Sequence, residues 1–296
     1  MKIHMTCLIV ALTFVFQIEA QTLNLEINNE NDQPFLLGKI DKSGLTSEHY
    51  NSWFSKNYED YDVDQTTIEA LKPILKDYQI TLFMGTWCGD SKQEVPRFYK
   101  ILEACNFPED QLTVIALSSK PYMYKQSPNH EEAGLNIHRV PTFIFYKNRK
   151  EVNRIVEHPV KTLEEDMLNI VTKNDYKSNY QIVSKIHLIL KEDGLNGLKK
   201  QSRKLIKTFN AKVSSMFELN TYGRILYANN NIAEAIEVFK LNTKLFPNEP
   251  RTYMSLANTL GVYSHTEEAI QTIEKAMQLF PDNDDLVKNL EALKTR

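Results

Sequence analysis

The sequence predicts an α/β domain, a mixed sheet flanked by helices, followed by an all-α domain of helical repeats. Three observations carry this. An apolar strand-like run over residues 80–84 leads straight into Trp87-Cys88, and a helical pattern follows from Ser91, with Val95, Phe98, Tyr99, Leu102 and Ala104 at helical spacing. Strand-like runs at 112–117, 143–146 and 152–156 are closed by a helix over 162–173. Beyond that helix the strand pattern stops, and from about residue 216 the chain repeats itself with a period of 34 residues. A length of 296 residues suits two domains.

In chain order, residues 1–20 read as an export signal. Lys2 supplies the positive end, residues 8–16 the apolar core, and Ile18-Glu19-Ala20 a small-residue end suited to cleavage before Gln21. The apolar run is short for a membrane span, and Cys7 stands at its start, which speaks against a lipid anchor. Residues 21–64 form an N-terminal extension. Its Asn-rich stretch 21–34 is expected to be a loose lead-in, and 35–40 a strand ended by the Asp41-Lys42-Ser43-Gly44 turn. Tyr50, Trp53, Phe54 and Tyr58 recur at spacings of three and four, the pattern of an amphipathic helix packed on the sheet rather than an aromatic docking surface. The α/β domain spans 65–173 and begins with a helix over 65–77 that Pro73 is expected to kink. Residues 118–132, with Pro121, Tyr122, Tyr124 and Pro128, look like an insertion.

Residues 174–296 form the helical domain. Helices are expected over 176–191 and 195–208. Then Gly223 aligns with Ala257, Leu226 with Leu260, Ala235 with Ala269, Phe239 with Ile273, and Leu245-Phe246-Pro247 with Leu279-Phe280-Pro281. A 34-residue helix–turn–helix period with small residues at the crossings resembles the tetratricopeptide repeat. The two repeats cover about 216–249 and 250–283, and a capping helix follows over 282–293. By that resemblance Asn220, Arg224, Arg251 and Asn258 line a peptide groove.

Trp87-Cys88-Gly89-Asp90-Ser91 resembles the Trp-Cys-Gly-x-Cys loop of the thioredoxin family, and Val140-Pro141-Thr142-Phe143 resembles that family's second signature, a cis-proline beside the catalytic cysteine. The two occur in the family's order. The resemblance implies a thioredoxin-like fold over 65–173, catalysis by Cys88 with Trp87 and Ser91 beside it, and an extended substrate held by the backbone of Val140, Pro141 and Thr142. Two departures bear on activity: Ser91 stands where the resolving cysteine belongs, and Leu82 where the family buries an acid.

The residues carry the same chemistry independently. A cysteine at a strand-to-helix corner meets unpaired N–H groups and the helix dipole, which favour a thiolate; Lys92 adds to this and Asp90 opposes it. Ser91 is placed to hydrogen-bond Cys88 but not to resolve a mixed disulfide. After removal of the signal only Cys88 and Cys105 remain. Seventeen mostly helical residues part them by about 25 Å at 1.5 Å per residue, beyond the roughly 7 Å a disulfide allows, so Cys105 reads as buried filler. His130 and His138 have no partner at metal-ligand spacing, so no metal and no cofactor is expected.

Residues 21–172 carry 16 Lys and Arg against 23 Asp and Glu, and 173–296 carry 18 against 14. Neither half has the clustered basic excess of a nucleic-acid binder. Two functions follow. In the first, an exported, periplasmic protein forms mixed disulfides with client proteins through Cys88 and relies on an external thiol for release, with the repeats as a protein-binding arm. In the second, the chain is a redox-inactive interaction scaffold. Peroxidase chemistry is a distant third, because Arg97 lies over two turns beyond Cys88.

Overall fold

A computed structural model describes residues 22–295; the expected export signal lies outside them. The N-terminal part is a mixed α/β domain on a six-stranded sheet, β1 (Leu25–Asn28), β2 (Pro34–Ile40), β3 (Gln79–Met84), β4 (Leu112–Ala116), β5 (Thr142–Lys147) and β6 (Lys150–Val156), in the order β1-β2-β4-β3-β5-β6. Only the β3/β4 pair is parallel; every other neighbour runs antiparallel. Because side chains alternate along a strand, β3 sends Ile80, Leu82 and Met84 to one face and Phe83 to the other.

The first face is covered by α1 (Lys42–Leu45), α2 (Glu48–Glu59), α3 (Gln65–Leu75), α4 (Gly89–Ala104) and α5 (Leu163–Val171), which bury Tyr50, Phe54, Ile68, Leu71, Val95, Phe98, Met167 and Ile170 against it. The aromatic run 50–58 is thus core-facing helix. The second face, around Phe83, Ile115, Leu117 and Ile144, is capped not by a helix but by the irregular segment 118–140 through Ile137 and Val140.

Two expectations are corrected here. The lead-in 21–34 contains β1, whose residues pair with β2 from Leu25↔Leu37 to Asn28↔Pro34. The segment 21–64 is therefore part of the sheet domain: β2 joins β4, and Tyr61 donates to Glu164 of α5 at 2.6 Å. Pro73 lies inside α3, two residues before its end, where its missing N–H leaves the Glu69 carbonyl without its helical donor. Pro96, by contrast, sits mid-helix in α4. The carbonyl its absent N–H leaves unpaired, that of Lys92, accepts from the Asn57 amide at 3.2 Å, which also ties α2 to α4.

Many helices follow: α6 (Gln181–Phe209), bent at Gly194 where φ is 63°, then α7 (Phe217–Ala228), α8 (Ile232–Leu245), α9 (Pro250–Val262), α10 (Thr266–Leu279) and α11 (Asp284–Lys294). The bend divides α6 where two helices were expected. α8 and α10 are offset by 34 residues at both ends. Neighbours α7/α8 and α9/α10 pack closely around a second core. Gly223 suits the first crossing, since a Cβ there would lie 2.5 Å from the Phe239 ring; 34 residues on, Ala257 and the smaller Ile273 are both buried in the same core. Among the described residues no helix is long and apolar enough to cross a membrane.

Candidate functional site

Cys88 ends the turn after β3 and stands as the N-cap of α4, with extended backbone (φ −92°, ψ 130°). Its thiol is half-buried and donates to the Val140 carbonyl at 3.2 Å; a carboxylate oxygen of Asp90 lies 3.9 Å from the sulfur. The two sequence signatures, 52 residues apart, therefore meet at the sulfur. The Val140–Pro141 peptide bond is cis. Thr142 is buried and its hydroxyl donates to the Arg139 carbonyl at 2.7 Å, while the Glu157 N–H donates to the Pro141 carbonyl at 2.7 Å, so this loop is braced from both sides.

Backbone and side chains fix the cysteine turn as tightly. Ser91 is fully buried, and its hydroxyl accepts the Gly85 N–H at 3.2 Å instead of bonding Cys88, correcting that expectation. The serine side chain closes the turn six residues back on the main chain. Thr86 reaches the other way and accepts the Leu36 N–H of β2 at 3.1 Å, so the N-terminal strand helps place the loop. Trp87 folds over Gly85, where a Cβ would come within 2.6 Å of the indole, and its Nε1–H donates to the Leu117 carbonyl at 2.8 Å. Leu82 is buried on the opposite face, so no carboxylate underlies the sulfur at that position.

The segment 118–140 supplies groups that spacing did not single out. Tyr124 packs on Trp87 with ring centroids 6.2 Å apart. Lys125, with φ of 57°, is buried, and its ammonium donates to the His138 carbonyl at 2.5 Å. Burial, aided by Arg139, pulls this lysine down to about 7, while the opposite charge of Cys88 and Glu157 pulls the other way. His138 is buried completely rather than at the surface, between Tyr180 and Tyr222 of the helical domain. Burial depresses it to about 3; its Nδ1 meets the Asn136 carbonyl, and its Nε2 has no partner among the described residues. His130 is exposed. Among the described residues no group of three or more His, Cys, Asp or Glu side chains is arranged to hold a metal.

The helical domain docks on this same segment. Arg139 pairs with Glu157 at 2.9 Å, stacks on Tyr180 at 4.8 Å, and donates to the Phe217 carbonyl at the start of α7 at 3.1 Å. The Gln126 amide donates to the Ala228 carbonyl at the end of α7 and to Asn229, each at 3.2 Å. Arg224, between those anchors, lies 4.7 Å over the Tyr124 ring. Of the four expected groove residues, Asn220 and Arg224 stand on α7 and Arg251 and Asn258 on α9: Arg224 lies over Tyr124, Asn258 accepts from Asn289 of α11 at 3.2 Å, Asn220 keeps a buried unpartnered oxygen, and Arg251 is exposed beside a cavity of about 290 Å³ with Phe217 and Phe246. The signal that would have exposed Lys125 and Arg139 is weak in the sequence, because neither sits in a motif: Lys125 reaches the His138 carbonyl 13 residues on, and Arg139 reaches Glu157 and Phe217, 18 and 78 residues on.

Cys105 is buried at the end of α4, unpaired with Cys88, and burial pushes its thiol up to about 11. Comparison of the chain with family models, curated proteins and solved structures finds no match.

Proposed function

We propose that the chain is an exported, periplasmic protein with a thioredoxin-like domain and a tetratricopeptide-type arm, and that it forms mixed disulfides with client proteins through Cys88. The observation that carries this reading is the meeting of the half-exposed Cys88 sulfur with the Val140 carbonyl of the proline loop, 3.2 Å away, at the start of a 16-residue helix. A sulfur there attacks a disulfide held as extended backbone along Val140, Pro141 and Thr142. The Cys88 thiolate, its proton lost to solvent, bonds to one client sulfur; the other client sulfur leaves as thiolate with the electron pair of the broken bond. Trp87 walls the site and Ser91 holds the turn. Because Ser91 cannot resolve the product, an external thiol completes the exchange, regenerating the Cys88 thiol and carrying off the client sulfur as a new disulfide. No metal or cofactor takes part in these steps.

The scaffold reading keeps one observation in its favour: Ser91, at the resolving position, is committed to Gly85, and Leu82 is a buried apolar residue where the family has an acid. The test is incubation of the full chain with a disulfide-bonded peptide, followed by intact-mass analysis. A one-to-one adduct at Cys88, stable until a small thiol is added and absent from Cys88→Ser, supports thiol exchange. Retention of peptide by Cys88→Ser at the native level, without an adduct in either protein, supports the scaffold.

A further inference from the structure

Resting on that reading, we propose that Arg224 of α7 recognises a carboxylate on the client peptide close to the sulfur that Cys88 attacks, so that the helical domain selects acidic clients for the cysteine of the sheet domain. The placement of Arg224 is built rather than incidental. α7 is pinned at its first residue by Arg139 and at its last by Gln126, both from the segment that caps the sheet beside Cys88. Between these anchors the Arg224 guanidinium lies 4.7 Å over Tyr124, and Tyr124 in turn packs 6.2 Å from the indole of Trp87, the residue next to the cysteine.

Among the neighbouring charges, Arg224 and Lys92 of α4 are the cations left to serve a ligand, and Arg224 is the one carried by the helical domain. Arg139 is neutralised by Glu157, which also accepts from Tyr180. Lys125 is buried and spent on the His138 carbonyl. Asp90 lies against the sulfur itself. Arg224 is exposed and has no carboxylate partner among the described residues. A guanidinium over an aromatic ring still has N–H groups to donate, and its forked edge matches a carboxylate with two parallel hydrogen bonds.

The test uses two synthetic peptide disulfides that differ only in carrying Asp or Lys two residues from the reacting sulfur, each incubated with the full chain and followed by adduct formation at Cys88. The acidic peptide is expected to react about threefold to tenfold faster at low salt, with the advantage shrinking as ionic strength rises. Arg224→Gln should abolish the preference and Arg224→Glu reverse it. Each ratio is internal to one protein, so a general loss of stability does not imitate the effect. Equal rates for the two peptides on the native chain, or a preference untouched by both substitutions, would overturn the inference while leaving thiol exchange standing. No adduct with either peptide would overturn both.

Discussion

The Cys88 corner and the helical stack α7–α10 solve the packing problem in opposite ways. The stack is apolar and periodic: Gly223 against Phe239 is answered 34 residues later by Ala257 and Ile273, so one small residue and one bulky residue share a fixed space. Its contacts join neighbours in sequence. The corner is polar and aperiodic. It joins Leu36, Thr86, Leu117 and Val140 to one turn, and Lys125, His138 and Glu157 beside it, through hydrogen bonds that span 13 to 52 residues. Stability in the first region comes from buried apolar area; in the second, a large part of it depends on which groups carry charge. A region built to pack tolerates pH and resists volume change, and a region built around buried titratable groups does the reverse.

That contrast is sharpest with pH. His138 ionises at about 6.5 in the unfolded chain but only at about 3 when folded, because burial penalises its charged form. The unfolded state therefore binds the extra proton as pH falls below 6.5, and the native state loses about 4 kcal/mol between there and pH 3 from this group alone. Urea midpoints taken across that range should drop steeply, and the slope should flatten in His138→Phe. An unchanged slope in the variant would assign the acid sensitivity elsewhere. Lys125 works at higher pH. Its folded value of about 7 lies below its unfolded 10.5, so the folded state pays to keep the ammonium at and below pH 7 and is relieved as pH rises toward 10.5. Lys125→Met should stabilise the protein at pH 7 by about 2 kcal/mol, the gain shrinking at pH 9.

In the stack, volume replaces charge. Gly223→Ala forces a methyl against the Phe239 ring and should cost about 1.5 kcal/mol at every pH. Adding Phe239→Ile recreates the pairing found in the second repeat and should recover most of the loss in a double-mutant cycle; independent, additive losses would break the equivalence of the two repeats. The smallest effect expected is at Asn57. Replacing it by Ala leaves the Lys92 carbonyl without its side-chain donor beside Pro96, at about 1 kcal/mol by urea denaturation.

The same contrast explains what the sequence made legible. Apolar runs located the strands at 80–84, 112–117 and 152–156, and the 34-residue period located the helix pairs that include α8 and α10, because each such signal is local. The cysteine turn and the proline loop were visible as short motifs. Lys125 and Arg139 were not, since their significance arises only when the chain folds back on them, as Phe217, 78 residues on, does over Arg139. β1 escaped notice because a polar edge strand of Leu-Glu-Ile-Asn, exposed on most of its length, has no apolar face to announce it. Ser91 looked like a partner for Cys88 from its spacing alone; the turn geometry gives its hydroxyl to Gly85 instead.

The most direct test of the account is titration of the native chain, processed or expressed without residues 1–20, with an excess of an aromatic disulfide at pH 8. Cys105, buried and pushed up to about 11, serves as an internal control that stays silent until the protein unfolds. The account predicts release of one aromatic thiol per folded chain, with the added mass on Cys88, and release of a second on denaturation. A folded chain that releases none, and gives up both only on unfolding, would contradict the claim that Cys88 is an accessible nucleophile.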